Sequence, residues 1–175
     1  MAAYSKRHYG TPTAVLHPSV IVLHFTEGDT WQSAWNTFAA NTPNVGELPG
    51  TCSHFLIDKD GSIYATVPLD LRCRHTVGLN FAAIGIEFVQ ATHGESSAWA
   101  DQQILHRRAQ INAALALVRM LQSRYRIPAD HVYGHATANA APMFRDLTGR
   151  KNTHTDWGPA AVREFRSRLG PLATR

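Results

Sequence analysis

The chain contains little cysteine and no long hydrophobic run, and both scarcities limit what it can be. Only two of its 175 residues are cysteines, and Cys52 and Cys73 lack the CxxC spacing of a structural zinc site or a redox pair. A disulfide between them is possible, but we prefer to interpret them as two buried free thiols. No apolar run could span a bilayer, and the N-terminus lacks the apolar core of a signal peptide. We therefore expect no integral membrane contact and synthesis in the cytoplasm.

Recognisable motifs for several common chemistries are also missing. There is no GxSxG elbow, HExxH helix, P-loop or dinucleotide fingerprint. The formal net charge of +4 favours contact with polyanions, such as an acidic cell wall. Because the positive residues are scattered and match no nucleic-acid motif, we expect no nucleic-acid partner. The length and a hydrophobic fraction of 44% predict a single domain over residues 1–175, which we expect to be a monomer.

The order of predicted elements is β-α-β-β-β-α-β-α. Residues 1–19 are predicted to be irregular, because Pro12 and Pro18 interrupt them. Asp60-Gly61 between two apolar segments predicts a hairpin, and one long helix is predicted to end near Tyr125. This mixture of a hairpin with alternating strands and helices predicts an α/β fold with a mixed central sheet flanked by helices.

Two histidines share the same unusual context at the ends of predicted strands. His24 closes the apolar run Val20–Leu23, and His135 follows Val132–Gly134. Asp156 follows His135 closely and supplies a carboxylate, although it could equally cap the last helix. Two histidines and one carboxylate on separate elements are the ligand set of a catalytic zinc, with one coordination position left open for water.

Other candidate site residues accompany this set. Glu87 lies within a mostly apolar strand, where a carboxylate is costly unless it is paired or functional. It is either an ion-pair partner of an arginine or a general base with a raised pKa. His154 is two residues from Asp156 and competes with it for the metal, since residues two apart in an extended segment point the same way. His54 and His75 flank the same region, and for His54 a structural hydrogen bond is as plausible as a substrate contact.

With these residues in place, the sequence resembles the type 2 family of zinc-dependent N-acetylmuramoyl-L-alanine amidases. That family includes bacterial peptidoglycan-recycling amidases and phage lysozyme-like amidases, with animal peptidoglycan recognition proteins as more distant relatives. The resemblance extends from about Val20 to Phe165. Its pieces are Ile21–Thr26, Ser53–Gly61, Val67–Leu69, Arg74–Gly78, Ile84–Glu87, Tyr133–His135 and Thr155–Asp156.

The resemblance implies a role for each candidate residue. His24, His135 and Asp156 correspond to the ligands of one Zn²⁺ ion, and Glu87 stands where the family has its catalytic glutamate. His75 stands where a histidine lines the substrate cleft. Apart from the resemblance, His54 and Trp157 are further candidate substrate contacts, although Trp157 could equally be a packing residue. The family has a lysine in a Lys-Thr-Asp pattern where this chain has His154. We therefore predict that His154 stabilises the oxyanion in place of that lysine, although an exchange of ligand roles between His154 and Asp156 stays open.

The implied activity is hydrolysis of the amide between N-acetylmuramic acid and L-alanine in peptidoglycan. A phage or bacterial lysin that acts on the cell wall is the interpretation we prefer. A cytosolic amidase that recycles soluble muropeptides is the first alternative. The others are a module that binds peptidoglycan without cutting it, and a zinc hydrolase of some other amide.

Overall fold

A five-stranded mixed sheet forms the centre of the fold in the computed structural model, which describes residues 1–170. The spatial order of the strands is β3-β2-β4-β1-β5, and only the hairpin pair β2–β3 is antiparallel. The predicted mixed α/β sheet is therefore confirmed. The strands are β1 (Val20–Phe25), β2 (Phe55–Ile57), β3 (Ile63–Ala65), β4 (Ala83–Phe88) and β5 (Val132–Gly134).

The two central strands explain why the sequence pattern there is so apolar. Every residue of β1 and of β4 is buried, because helices or loops cover both faces of the sheet. The strands run parallel, and their register places His24 directly beside Glu87. The pairing thus places two candidate site residues side by side.

The helices differ from the prediction in two places. The segment predicted to be irregular begins with a helix, since the breakers Pro12 and Pro18 lie beyond it and one face of Ala2–Tyr9 is buried. The predicted long helix is interrupted at Arg107, whose backbone is extended and whose guanidinium bonds the side chains of Gln90 and Gln110. The helices are α1 (Ala2–Tyr9), α2 (Trp31–Ala40), α3 (Ser97–His106), α4 (Arg108–Tyr125) and α5 (Pro159–Leu169).

Two apolar layers enclose the sheet. The larger one lies between one face of the sheet and helices α3, α4 and α5, and it includes Trp157 and Phe165. The smaller one covers the other face with residues outside the strands and α-helices, such as Leu79 and Ala138. Phe81 packs against this smaller cluster and also against Tyr9, which closes helix α1.

The two cysteines form a disulfide, so our preference for free thiols is wrong. Cys52 and Cys73 lie far apart in sequence, and the loops that carry them meet only in the folded chain. In residues 1–170, no helix is both long and apolar enough to cross a membrane.

Candidate metal centre

Three candidate residues meet at one edge of the sheet. His24 lies near the end of β1, Glu87 near the end of β4, and His135 directly after β5. Because these three strands are parallel, their carboxyl ends share one edge, which is where open α/β sheets bind ligands. A cleft of about 730 Å³ opens above this edge, and all three side chains line it.

Three donor atoms converge at the bottom of this cleft. Nδ1 of His24 lies 3.0 Å from Nδ1 of His135. The Asp156 carboxylate oxygens lie 3.5 Å from the first nitrogen and 3.2 Å from the second. All three residues are buried, and together they form a group that could hold a metal ion.

The hydrogen bonds behind His24 leave its Nδ1 free. Nε2 of His75 faces the carbonyl oxygen of Ala83 at 3.2 Å, so we assign the His75 proton to Nε2. Nδ1 of His75 then accepts a hydrogen bond from Nε2 of His24, 3.0 Å away. With its proton on Nε2, His24 presents the lone pair of Nδ1 to the donor group.

A second pair of residues does the same for His135. Nδ2 of Asn152 donates to the carbonyl of Val77 at 2.9 Å, which turns the amide oxygen toward His135. That oxygen lies 3.2 Å from Nε2 of His135 and accepts its proton. His135 therefore also directs the lone pair of Nδ1 at the common centre.

The chain around Asp156 is held on both sides. The carbonyl of Asp156 accepts a hydrogen bond from the amide of Ala136 at 2.9 Å. The carboxylate of Asp101 accepts the next two amides, from Trp157 at 2.9 Å and from Gly158 at 2.8 Å. Position 134 must be glycine, since a Cβ there would lie 1.9 Å from the carbonyl oxygen of Trp157. The third donor is thus as firmly placed as the two rings.

This arrangement fits a tetrahedral zinc ion. Donor atoms at about 2.0–2.1 Å from a tetrahedral ion are about 3.3 Å from one another, which is the middle of the observed range. Burial lowers the pKa of His24 to about 4, so its ring is neutral, as a ligand must be. Burial alone raises the pKa of Asp156, but the adjacent rings of His135 and His24 outweigh it and hold that pKa well below its usual value.

Glu87 faces the same cleft without being a member of the donor group. Burial raises its pKa to about 8, and the negative charge of Asp156 adds to the rise. Within residues 1–170, its Oε2 is buried and has no hydrogen-bond partner. The alternative for Glu87 was an ion pair with an arginine. Among the ion pairs of residues 1–170, none involves Glu87.

His154 lies beside the donor group rather than in it. Its ring stacks on that of His135, with centroids 4.0 Å apart, and its Nδ1 is 3.8 Å from Oδ1 of Asp156. Burial and the neighbouring His135 lower the pKa of His154. Its side chain is 65% exposed and lines the cleft, so it can reach a bound molecule.

Of the three predicted substrate contacts, only His75 lies at the cleft. His75 lines the cleft while supporting His24. His54 does not: its Nδ1 accepts from the amide of Gly85 and its Nε2 bonds the carbonyl of Leu71, so both ring nitrogens serve the fold. Trp157 is completely buried, and its indole N–H donates to the carbonyl of His24. Neither His54 nor Trp157 has a face to offer a substrate.

Sequence reasoning missed Asn152 and Asp101. Each acts through a contact with a residue at least 17 positions away in sequence, and neither belongs to a motif. For Asn152, the only sequence signal was its place in the cluster of polar residues before Asp156. The contacts of both residues depend on how the loops fold back to the sheet.

Comparison with known proteins gives a consistent result. The model of the N-acetylmuramoyl-L-alanine amidase family matches residues 14–159. No protein of curated function matches the chain. Three similar solved structures, all under 25% identical, share the fold.

The first two are an amidase and an endolysin. The N-acetylmuramoyl-L-alanine amidase LysC from Clostridium intestinale URNW is 21% identical over 88% of this chain and 86% of its own, with a TM-score of 0.56. A mutant endolysin from Bacillus subtilis is 20% identical over 91% of this chain and 90% of its own, also with a TM-score of 0.56. The third is the E. coli amidase AmiD in complex with anhydro-N-acetylmuramic acid-L-Ala-D-γ-Glu-L-Lys. It is 22% identical over 92% of this chain and 60% of its own, with a TM-score of 0.59.

Proposed function

The chain belongs to the N-acetylmuramoyl-L-alanine amidase family, and on that premise we propose that His24, His135 and Asp156 hold one zinc ion. The family activity is hydrolysis of the amide between N-acetylmuramic acid and L-alanine. The observation that carries the proposal is the convergence of two Nδ1 lone pairs and one carboxylate within 3.0–3.5 Å of one another.

The donor types favour zinc over the common alternatives. Calcium and magnesium prefer sets made of oxygen atoms, whereas two imidazoles and one carboxylate suit zinc and leave a coordination position open. A bound zinc ion supplies Lewis acidity for the scissile carbonyl and for a water molecule. The residues around it then have to move protons and stabilise charge.

Glu87 is our candidate for the proton transfers. Its carboxyl group lines the cleft next to the donor group and can take a proton from the attacking water. The same carboxyl group can then give that proton to the leaving nitrogen of L-alanine. A raised pKa suits this double role, because the group must both accept and release a proton in one cycle.

His154 is our candidate for stabilising the oxyanion. It is exposed to the cleft, and its stacking on His135 keeps the ring next to the donor group. Even a neutral imidazole has one N–H to donate, so the charge of a lysine is not required. Hydrogen bonds aimed at developing negative charge lower the barrier for amide hydrolysis.

The rest of the cleft suits an acidic peptide joined to a sugar. Arg150 and Lys151 line it on one side and offer positive charge to substrate carboxylates. One chain contributes every residue of this site, so we expect the protein to act as a monomer. The substrate is peptidoglycan or a muropeptide cut from it.

We propose that the protein is a lysin acting on the intact wall. The chain spans 86% of the LysC chain and 90% of the mutant endolysin. The second candidate function for this chain is muropeptide recycling. It is favoured by the similarity to AmiD, whose structure holds an anhydro-muropeptide. Digests of intact sacculi and of soluble anhydro-muropeptides, run in parallel, distinguish them: a lysin releases stem peptides from sacculi, and a recycling enzyme cuts only the small substrate.

The catalytic proposal is tested by zinc analysis together with mass spectrometry of the released stem peptides. We expect one zinc ion per chain in the wild type. His24→Ala should lose both zinc and activity, whereas Glu87→Gln should keep zinc and lose activity by about 10²- to 10⁴-fold. His106→Ala, which changes an exposed helix residue, is the matched control.

Three results would contradict the proposal. Full zinc content and activity in His24→Ala would refute the proposed metal centre. Binding to sacculi without release of peptide would identify a binding module. Bound zinc with no cleavage of any muropeptide would point to a hydrolase of another amide.

A further inference from the structure

Helix α1 lies before residues 14–159, the part of the chain that matches the amidase family, yet it contacts two loops that wall the cleft. The first wall loop (residues 41–50) contributes Asn44 and Val45 to the cleft. The second wall loop (residues 144–152) contributes Arg150, Lys151 and Asn152. Among the described residues that line the cleft, none comes from α1.

His8 in α1 is bonded to both wall loops at once. It is completely buried and stacks on Tyr4 with ring centroids 4.0 Å apart. Its Nδ1 is 2.7 Å from a carboxylate oxygen of Asp146, and its Nε2 is 2.9 Å from one of Glu47. A ring with a carboxylate at each nitrogen donates to both only when both nitrogens carry a proton. Such bonds between charged partners are among the strongest that side chains make.

From Glu47 the connection reaches the cleft itself. The other oxygen of Glu47 is 3.4 Å from the guanidinium of Arg150, which lines the cleft. The carbonyl of His8 also accepts a hydrogen bond from the amide of Leu147 at 2.9 Å. Helix α1 thus holds the second wall loop through backbone and side chain, and Glu47 joins the two loops.

Arg74 adds further contacts that hold the first wall loop. Its guanidinium donates to three carbonyls of the first wall loop, those of Asn44, Glu47 and Pro49. It also lies over the ring of Tyr4, 4.9 Å from the centroid. The first wall loop is therefore held by contacts with both Arg74 and α1.

We propose that His8 is a positioning residue for the substrate cleft, which sets how tightly substrate is bound through Glu47 and Asp146. His8 does not line the cleft, so the chemical step should be unaffected by its loss. The two wall loops carry polar and cationic groups that substrate must meet in a fixed arrangement. Loosening them should weaken binding of ground state and transition state alike.

The kinetic test rests on the proposed amidase function. His8→Phe keeps a ring on Tyr4 and removes both N–H donors, and Glu47→Gln removes the charge from the partly exposed partner. We expect KM for a soluble muropeptide to rise about tenfold in each variant, with kcat changed less than about twofold. Lys6→Gln, an exposed position on the same helix, is the control. Because the two residues act as one unit, the double variant should resemble either single variant.

A second readout needs no activity. Hydrogen exchange should accelerate at the amides of Leu147 and Glu47 in His8→Phe, while the amides of β1 and β4 stay protected. A wild type without activity would refute the proposed function but leave this exchange test in force. Unchanged exchange in both wall loops, or unchanged KM in folded His8→Phe and Glu47→Gln, would overturn the inference.

Discussion

The amide oxygen of Asn152 lies 3.2 Å from Nε2 of His135 and so determines which nitrogen of that ring is free. Asn152 is itself oriented by its bond to the carbonyl of Val77. His75 has the matching relationship with His24, where its Nδ1 accepts the Nε2 proton. Both histidines of the proposed zinc site are therefore preset in the tautomer that directs Nδ1 toward the centre of the group.

Removing the acceptor of Asn152 should weaken zinc binding. We expect Asn152→Leu, which is similar in size and has no acceptor, to lower zinc affinity by about 10- to 100-fold. Asn152→Asp keeps an oxygen for His135 and should lose less. Competition with a chelator of known affinity measures both, and wild-type affinity in Asn152→Leu would contradict the assignment of the tautomer.

Asp101 supports the third donor, and its loss should affect stability before metal is added. Asp101→Ala leaves the amides of Trp157 and Gly158 without their partner, and each unpaired buried amide costs about 1–3 kcal/mol. Asp101→Asn keeps one acceptor and should show about half the loss. Urea unfolding of the metal-free protein gives both values. An Asp101→Ala variant as stable as the wild type would show that water replaces the carboxylate.

His154 should affect catalysis without affecting metal content. We expect His154→Ala to keep one zinc ion per chain and to lose about 10²- to 10³-fold in kcat, since one donor to the oxyanion is removed. His154→Lys should recover most of that loss, because an ammonium group also donates. Loss of zinc from His154→Ala would instead indicate that His154 is a metal ligand.

His54 should make the protein sensitive to acid. Burial lowers its pKa to about 4 in the folded chain, against an ordinary value near 6.5. Below pH 6.5 the unfolded chain therefore binds a proton that the folded chain does not. The stability contributed by this residue is complete above that pH and is lost as the pH falls toward 4, to a total of about 3 kcal/mol.

A neutral replacement isolates this effect. Asn at position 54 can accept from the amide of Gly85 but cannot be protonated in this range, so His54→Asn should lower stability at pH 7 and flatten its dependence on pH. Unfolding in urea at pH 7 and pH 5 compares the two proteins. Equal slopes with pH in both would mean that other groups cause the acid sensitivity.

The sequence predicted best where one strand carries its own signal. The apolar run before His24 and the short strand before His135 identified both strands, and parallel pairing then placed both histidines at one edge. The sequence was a poorer guide to residues whose neighbours come from distant segments of the chain. The sequence offered Trp157 as a candidate substrate contact, but Gly134 leaves room for its backbone and the core surrounds its ring.

Alone, the sequence determined the mixed sheet, the chain order of its five strands and which residue types could bind a metal. These follow from local patterns, because hydrophobic periodicity and turn residues act over a few positions. Only the tertiary structure decided the tautomers of the two histidines, the structural role of His54, the disulfide and the contact of α1 with both wall loops. Each of these depends on atoms brought together from segments far apart in the chain, and no local pattern encodes such distances.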